Sequence, residues 1–383
     1  MQDAGQPIDF DAEWFQCDPW PLYASMRQRS PVWHSAADGC DYVFSHRAVH
    51  EVLTSTSFTA AFPFRGTRQL FGPTMIDLDG PEHRRLRSPL VPALRPSAIA
   101  ALAEQLIDPA VEDVVADLPA HGVVDLMPAL AEQIPPRVGA RLLGLPKGAG
   151  PALYQAIRPI VQYLDAPAGQ LEAAYQARES LEQTLGPLVA EARPPDHAAD
   201  LAHRLTGAVD ARAALINLVV LAVAVMETTV RGLGNTLIVL ARHPDHLAAL
   251  RDDPEGIDAA VAEATRLEPP LHFIFRHAAT TTILEGVEIP EHAPVQLCLA
   301  SANRDEVRFE HPDRFMPERR ERTESLTFGW GPHGCVGAYL ARREIATAVR
   351  ALLERYGGWR LVGEPVIRGR YFRSPTAVDA RLP

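Results

Sequence analysis

The 383-residue sequence predicts a mainly α protein of the α+β type, in which a large helical domain carries a small β lobe. Residues 97–267 place apolar side chains at helical spacing. Strand-like segments are short and lie near the two ends of the chain. Apolar residues make up 47% of the sequence, enough for an extensive core, and no repeat or long polar linker divides it. We therefore expect a single domain that spans residues 1–383.

Proline and glycine interrupt the helical pattern, and strand candidates flank it. Four stretches have helical periodicity: 99–118, 125–143, 170–192 and 211–242. Prolines in the second stretch, and Gly186 with Pro187 in the third, are expected to break or kink their helices. Strand candidates occupy residues 32–34, 42–44, 280–289, 295–299 and 360–367. We expect the strands from both ends of the chain to meet in one small sheet.

Charge and hydropathy limit the partners and the compartment. The chain has 37 basic and 48 acidic residues, a net charge of −11, which argues against nucleic acid and anionic membrane as partners. The acidic segment 1–15 is followed by no apolar stretch, so we expect no export signal. The closest approach to an uncharged membrane span, 215–226, is shorter than the roughly 20 residues that a span needs. The prediction is a cytoplasmic protein without a membrane partner.

The cysteines indicate one singular site. Cys17, Cys40, Cys298 and Cys335 lie far apart and form no CxxC pair, which excludes a zinc site of the common spacing. A disulfide framework is not expected in a chain of this length without an export signal. A cysteine with a function therefore acts alone.

Cys335 lies in a segment built for close approach of the backbone to a bulky, flat group. Residues 328–337 read F-G-W-G-P-H-G-C-V-G, and an amphipathic helix is predicted from about residue 338 to residue 356. The glycines and the proline before the cysteine exclude helix interior and predict a tight loop. Cys335 then stands at a helix N-terminus, where a thiolate is favoured. The alternative is a buried free cysteine after a glycine-rich turn, which is what most lone cysteines are.

The ten-residue segment resembles the haem-binding loop of the cytochromes P450, F-G-x-G-x-H-x-C-x-G, at every fixed position. The resemblance implies the cytochrome P450 fold, with haem b between the long central helix and the cysteine loop. It also implies that Cys335 is the thiolate ligand of the iron and that Phe328 belongs to the cofactor-binding residues. Chain length, motif order and the lack of an anchor resemble the bacterial soluble branch.

A second motif match lies upstream of the cysteine loop. Glu263 and Arg266 are three residues apart and share a helix face, as in the family's E-x-x-R. An isolated pair of this kind is usually solvated and contributes little to stability. The resemblance instead implies a buried scaffold pair without a catalytic role.

A third match predicts where the haem carboxylates are held. Residues 79–87 resemble the family's D-P-P-E-H-x-x-x-R, with glycine in place of the first proline. His83 and Arg87 project from the same face of a helix. The resemblance implies that they bind the haem propionates together with Arg276 and His333. The alternative is a solvated basic helix face.

A fourth match lies in the longest helical stretch. Residues 224–229, A-V-M-E-T-T, resemble the oxygen-activation motif A-G-x-[DE]-T-[TS]. The resemblance implies that Thr228 holds water beside bound dioxygen and that Glu227 relays protons. Threonine back-bonding to the helix beside a solvated glutamate is the alternative. Val225 replaces the family's glycine, and its side chain either crowds the oxygen-side space or packs into the core.

These matches imply a monooxygenase that oxidises a small or medium organic molecule in bacterial secondary metabolism. No nucleotide-binding motif is present, so electrons are expected from outside, from a ferredoxin and a ferredoxin reductase. Oxidative coupling, desaturation or peroxide-driven oxidation is the alternative that Val225 raises, and a non-catalytic haem or ligand-binding protein is the third. Arg65, Gln69 and His272 are candidate polar anchors in a substrate pocket with largely apolar walls.

Overall fold

Helices dominate the computed structural model, which describes residues 8–190, 194–195 and 197–383. The α-helices in chain order, α1–α17, are Glu13–Cys17, Trp20–Arg29, His46–Thr54, Gly66–Phe71, Gly80–Arg87, Val91–Leu94, Pro96–Leu102, Asp108–Ala116, Ile134–Leu142, Gly150–Asp165, Leu171–Ala190, Leu201–Thr206, Ala211–Ala241, Pro244–Asp252, Ile257–Leu267, Leu299–Ala302 and Ala338–Tyr356. The strands, β1–β12, are Val32–Ser35, Cys40–Val43, Phe58–Thr59, Gly122–Asp125, Phe273–Ala278, Thr282–Leu284, Val287–Ile289, Pro294–Cys298, Arg360–Leu361, Ile367–Arg368, Ser374–Pro375 and Asp379–Leu382.

The helical predictions are confirmed except at Pro187, and one helix was not predicted. The second predicted stretch is broken, with β4, a π-helical turn Met127–Ala131 and α9 in its place. The break predicted at Pro187 is wrong, because α11 continues through it. Proline has no N–H to donate to the carbonyl of Gln183, four residues earlier. Gln183 is exposed to solvent, where water can take the place of that donor. Helix α10 was not predicted, although Pro151 starts it in the favoured first turn. Residues 191–192 of the third stretch lie outside the described residues.

The prediction that the two ends of the chain meet in a sheet is confirmed for the largest sheet. Its strand order is β1-β2-β8-β5-β3, and β2 pairs in parallel with β8 while the other pairs are antiparallel. A single sheet was too simple a prediction. Strands β6 and β7 form a separate hairpin, and β9 joins β12 and β4 in a three-stranded sheet.

Helix α13 runs through the middle of the fold. Asp210 starts it, since the carboxylate accepts a hydrogen bond from the backbone N–H of Ala213 at 2.9 Å. Helices α9, α10, α11, α15 and α17 pack against it. Helix α13 is long and apolar enough to cross a membrane, whereas the uncharged run 215–226 within it is too short by itself. However, 78% of its most apolar window is buried inside the protein. Helix α13 is therefore the central element of the core, and it places residues 224–229 at the centre of the molecule.

The pair Glu263–Arg266 is buried, as the resemblance implied. Two guanidinium nitrogens of Arg266 donate to the two carboxylate oxygens of Glu263, each at 2.7 Å. Arg319 adds a third charge-assisted hydrogen bond at 3.2 Å. These contacts fasten α15 to the segment that leads into the cysteine loop.

Candidate active site

The cysteine loop has the tight conformation that its glycines predict. Gly329 and Gly331 have φ of 64° and 68°, in the left-handed region that favours glycine. A Cβ on Gly331 would lie 2.6 Å from the backbone oxygen of Leu53, so the loop touches α3 without room for a side chain. The N–H of Cys335 donates to the carbonyl of Phe328 at 2.7 Å and closes the loop. Helix α17 starts three residues after the cysteine.

The Cys335 side chain is exposed to an internal cavity and not to the outer surface. Its deep position raises the pKa of the thiol, because burial disfavours the thiolate. The backbone N–H of Gly337 and the charges of Arg87 and Arg342 act in the opposite direction. A metal cation in the cavity would remove the remaining cost of the thiolate, since a coordinating thiol loses its proton.

Two adjoining cavities separate α13 from the cysteine loop. The inner cavity has a volume of about 240 Å³ and includes Cys335 and Phe328 in its wall. The outer cavity has a volume of about 320 Å³ and is largely apolar and aromatic. Residues that line both are Ala224, Thr228, Leu271, Ile274 and His333. Apolar residues of the outer wall include Phe71, Ile76, Leu164, Val220, Phe275, Tyr371 and Phe372.

His83 and His333 form a stacked pair beside the cavities. Their ring centroids are 4.2 Å apart with an interplanar angle of 25°. Nε2 of His333 is 2.7 Å from a carboxylate oxygen of Asp79. Burial, and then the neighbouring His333 and Arg87, lower the pKa of His83 to about 4, so this ring is neutral at pH 7. Its buried Nε2 has no hydrogen-bond partner among the described residues.

The two predicted arginines differ in what they contact. Arg276 is buried on β5 at the edge of the outer cavity, donates to the carbonyl of Phe275 at 2.7 Å and forms no ion pair within the described residues. Burial, and then the charge of Arg65, lower the pKa of Arg276 to about 10. Arg87 instead donates to the carbonyl of Gly334 at 2.5 Å. Arg276 is thus free to bind an anion, whereas Arg87 braces the cysteine loop.

The donors and the cavity fit a haem. A flat apolar ring system with two carboxylates requires an apolar slot and charge-matched donors at one edge. The inner cavity supplies the slot with a thiol in its wall, and the unpartnered Nε2 of His83 and the guanidinium of Arg276 supply donors. Buried polar groups are normally hydrogen-bonded, so the unpartnered Nε2 of His83 fits a carboxylate supplied by the cofactor.

Thr228 and Glu227 occupy different surroundings on α13. The Thr228 hydroxyl borders both cavities and donates to the carbonyl of Ala224 at 3.1 Å, which is the back-bonding of the alternative interpretation. Glu227 is buried and not solvated, contrary to that alternative. Its carboxylate accepts a hydrogen bond from Nε of Arg231 at 2.5 Å, and Arg231 also donates to the hydroxyl of Ser374 at 3.0 Å. The sequence interpretation missed Arg231, although its spacing of four from Glu227 was a usable signal.

Val225 both borders the inner cavity and packs into the core, the two alternatives that the sequence left open. Its side chain is buried in the core and also borders the inner cavity. The methyl carbon Cγ2 points to Gly139 on α9, where a Cβ would lie only 2.9 Å away. The valine is therefore cavity wall and interhelical contact at once.

The candidate substrate anchors are committed to other contacts. His272 is buried and faces away from the cavity, with Nδ1 at 3.1 Å from the hydroxyl of Tyr23. Arg65 borders the outer cavity but donates to the carbonyls of Ala60 and Ile76 at 2.9 and 3.1 Å. Gln69 donates to the carbonyl of Phe64, just before α4, at 3.4 Å. These contacts leave apolar and aromatic surface as the main recognition element.

Known proteins with this arrangement are cytochromes P450. The family model described as Cytochrome P450 matches residues 198–358. Erythromycin C-12 hydroxylase of Saccharopolyspora erythraea is 34% identical over 87% of this chain and 86% of its own. Cytochrome P450 monooxygenase PikC of Streptomyces venezuelae is 32% identical over 89% and 84% of the two chains. The solved structure of CxnD, described as an enzyme for C–S bond formation in chuangxinmycin biosynthesis, superposes with a TM-score of 0.87 at 28% identity over 98% of both chains.

The similarity covers almost the whole length of the chain and agrees with the predicted fold. Relatives named as hydroxylases and monooxygenases favour an oxygen-incorporating oxidoreductase over the alternative chemistries and over a non-catalytic binding protein. The haem cofactor follows from the family. This chain belongs to the cytochrome P450 family, as a monooxygenase of the bacterial secondary-metabolism type.

Proposed function

We propose that this chain binds haem b through the Cys335 thiolate and hydroxylates a small or medium organic molecule in the cytoplasm. The observation that carries the proposal is the position of Cys335 in a cavity wall that also contains Thr228. The whole chain, residues 1–383, acts as one domain in this proposal. When bound, the thiolate-ligated haem supplies dioxygen activation, since the thiolate donates electron density that favours O–O cleavage.

The chain's own residues prepare the site for that chemistry. His83, Arg87, Arg276 and His333 would hold the carboxylates of the haem, and Arg87 also holds the cysteine loop through the carbonyl of Gly334. Phe328 lines the inner cavity together with Cys335 and is itself covered by the guanidinium of Arg342 at 4.7 Å. Apolar walls exclude water and strengthen each of these charge interactions.

Thr228 and Glu227 would move protons on the substrate side. The Thr228 hydroxyl borders both cavities, so it can present a proton or hold a water molecule there. Glu227 contributes to the wall of the same outer cavity, and its carboxylate is held in place by Arg231. A positioned acid and hydroxyl of this kind contribute typically 10²–10⁴-fold to the rate of a proton-transfer step.

The substrate would be a lipophilic intermediate of secondary metabolism. The outer cavity offers aromatic side chains from Phe71, Phe275, Tyr371 and Phe372. Arg65 is held by two protein carbonyls. Arg276 stands where a haem carboxylate would bind, so with haem in place the outer cavity offers no free charge to an anionic substrate. The match to enzymes named for erythromycin and chuangxinmycin supports this class of compound. Substrates are found by titration of candidate compounds while the haem spin-state spectrum is recorded.

The ligand assignment is tested by Cys335→His. The reduced carbon monoxide complex of the wild-type protein should show the red-shifted Soret band of thiolate ligation, and the variant should lose it while still binding haem. Persistence of that band in the variant would show that another residue ligates the iron. Transfer of haem to an apoprotein acceptor tests the carboxylate donors: Arg276→Ala should lose haem faster, whereas the surface variant Arg251→Ala should not.

Electrons would come from a ferredoxin and its reductase. Arg84 and Arg85 are exposed on α5 next to the histidine pair, although Arg85 is partly neutralised by Glu82 at 3.1 Å. Arg343, eight residues after Cys335, is paired with Asp108 at 3.4 Å, which reduces the free positive charge on this side of the protein. An acidic ferredoxin docking here should transfer electrons more slowly as salt rises. A rate independent of ionic strength would exclude electrostatic docking.

A further inference from the structure

Gly139 lies opposite Val225 at the contact between α9 and α13. A Cβ at position 139 would lie 2.9 Å from Cγ2 of Val225 and 3.1 Å from Cγ and Cε of Met226. Side-chain carbons in van der Waals contact lie about 3.5–4.0 Å apart, so no side chain fits at position 139 without a shift of its neighbours. Both neighbours are buried, Val225 at 8% exposure and Met226 at 0%.

Val225 cannot relieve such a contact by changing its side-chain rotamer. A valine in a helix has one strongly preferred χ1 rotamer, so it cannot swing aside as a longer side chain would. One side of Val225 faces Gly139 and another side forms part of the inner cavity wall. A force from α9 therefore drives the valine and its helix toward the cavity.

Val225 stands where the pattern that the central helix resembles has glycine, and the residue that faces it on α9 is itself a glycine. That pattern has glycine after the first alanine, where it leaves space on the central helix. Here the central helix has Val225, and the missing volume is found on the facing helix at Gly139. The combined volume of the side chains at positions 139 and 225, and not that of Val225 alone, therefore determines how much space remains over Cys335.

We propose that Gly139 is a positioning residue that keeps Val225 from protruding further into the inner cavity and so sets the size of the ligand that fits between α13 and the cysteine loop. The inference rests on the proposed function, because that cavity is taken as the site of haem and substrate. It assigns a specificity role to a residue that lies outside every motif of the sequence and does not itself border either cavity.

The test compares the wild-type protein with Gly139→Ala, Val225→Gly and the double variant. The matched control is Gly186→Ala, a helical glycine around which a Cβ would meet nothing within 4 Å. Thermal unfolding is measured first. The titrations then follow ferric haem spectra with imidazole and with the bulkier 4-phenylimidazole.

The expected pattern is specific for a positioning role. Alanine is a better helix former than glycine, so Gly186→Ala should raise the unfolding temperature slightly, while Gly139→Ala should lower it through overpacking. Gly139→Ala should weaken 4-phenylimidazole binding about tenfold and imidazole binding much less, since a displaced valine obstructs only the larger ligand. Adding Val225→Gly to Gly139→Ala should restore 4-phenylimidazole binding, because it removes the displaced side chain.

Two results would overturn the inference. One is wild-type 4-phenylimidazole affinity in Gly139→Ala, and the other is a double variant that binds as weakly as Gly139→Ala. A wild-type protein that binds neither azole would overturn the proposed function instead. In that case the unfolding temperatures, measured without ligand, still decide whether Gly139 and Val225 are coupled in packing.

Discussion

Replacement of Glu263 by glutamine should destabilise the protein by about 3–5 kcal/mol, the usual cost of breaking a buried ion pair. Glu263 accepts two hydrogen bonds from Arg266 at 2.7 Å and one from Arg319 at 3.2 Å. The side chains of Glu263, Arg266 and Arg319 are 0%, 0% and 1% exposed. The amide of glutamine removes the negative charge and turns an N–H group toward one guanidinium, so two buried cations lose their counter-ion.

The surface pair Glu82–Arg85 is the matched control. Its atoms are 3.1 Å apart, at a spacing of three on a helix like the pair Glu263–Arg266, but its side chains are 59% and 44% exposed. Glu82→Gln should cost about 0–1 kcal/mol. The same substitution is thus compared in a buried and in a solvated helix pair.

Urea unfolding followed by circular dichroism measures the difference. With a denaturant slope of about 3 kcal/mol/M, a loss of about 3–5 kcal/mol lowers the midpoint by about 1–2 M. Equal midpoints for Glu263→Gln and Glu82→Gln would refute the reasoning, because burial would then have no bearing on the value of the pair.

Three further predictions concern the site and its surroundings. Thr228→Ala should increase the share of reducing equivalents released as peroxide at the expense of product, and unchanged coupling would exclude proton delivery by this hydroxyl. Arg231→Gln should destabilise the protein by about 3–5 kcal/mol in urea, because it leaves the buried Glu227 unpaired; adding Glu227→Gln should recover most of that loss. Burial lowers the pKa of His46 and of His277 to about 4, so the unfolded chain takes up protons from about pH 6.5 while the folded protein does not. Stability of the protein should therefore be complete above pH 6.5 and decline as pH falls toward 4, and the double variant His46→Gln/His277→Gln should show a weaker decline in urea midpoints.

The sequence was sufficient to predict the local structure of the cysteine loop. Glycine at positions 329 and 331 indicates a backbone with positive φ, which other residues rarely adopt. Both residues have a positive φ in the structure. The burial of Glu263 with Arg266 could not follow from their spacing, because the same spacing occurs on solvated helices such as α5. That prediction came from the resemblance and was confirmed by the burial of the pair.

Other features depended on which helix faces meet, and this information is absent from a single sequence. The role of Val225 was left open because its surroundings depend on the face that α9 presents, and only the structure shows Gly139 there. The partner of Glu227 on its own helix was predictable from spacing, whereas the contact of Arg231 with Ser374 joins residues 143 positions apart. His272 looked like a pocket residue because its neighbours Leu271 and Phe273 are, yet alternate residues of an extended segment point to opposite sides.

The separate motifs of the sequence converge on the cysteine loop and form one structural unit. Asp79 hydrogen-bonds His333, Arg87 binds the carbonyl of Gly334, and the backbone of Thr265 inside the E-x-x-R segment accepts a hydrogen bond from Thr327. These partners lie at the start of α5, in α5 and in α15, so protein contacts hold the segment that leads into Cys335. Contacts of this kind would reduce the ordering entropy that haem binding must offset. The segment 79–87 thus supports the ten-residue loop directly through His333 and Gly334, and the E-x-x-R segment holds Thr327 just before it.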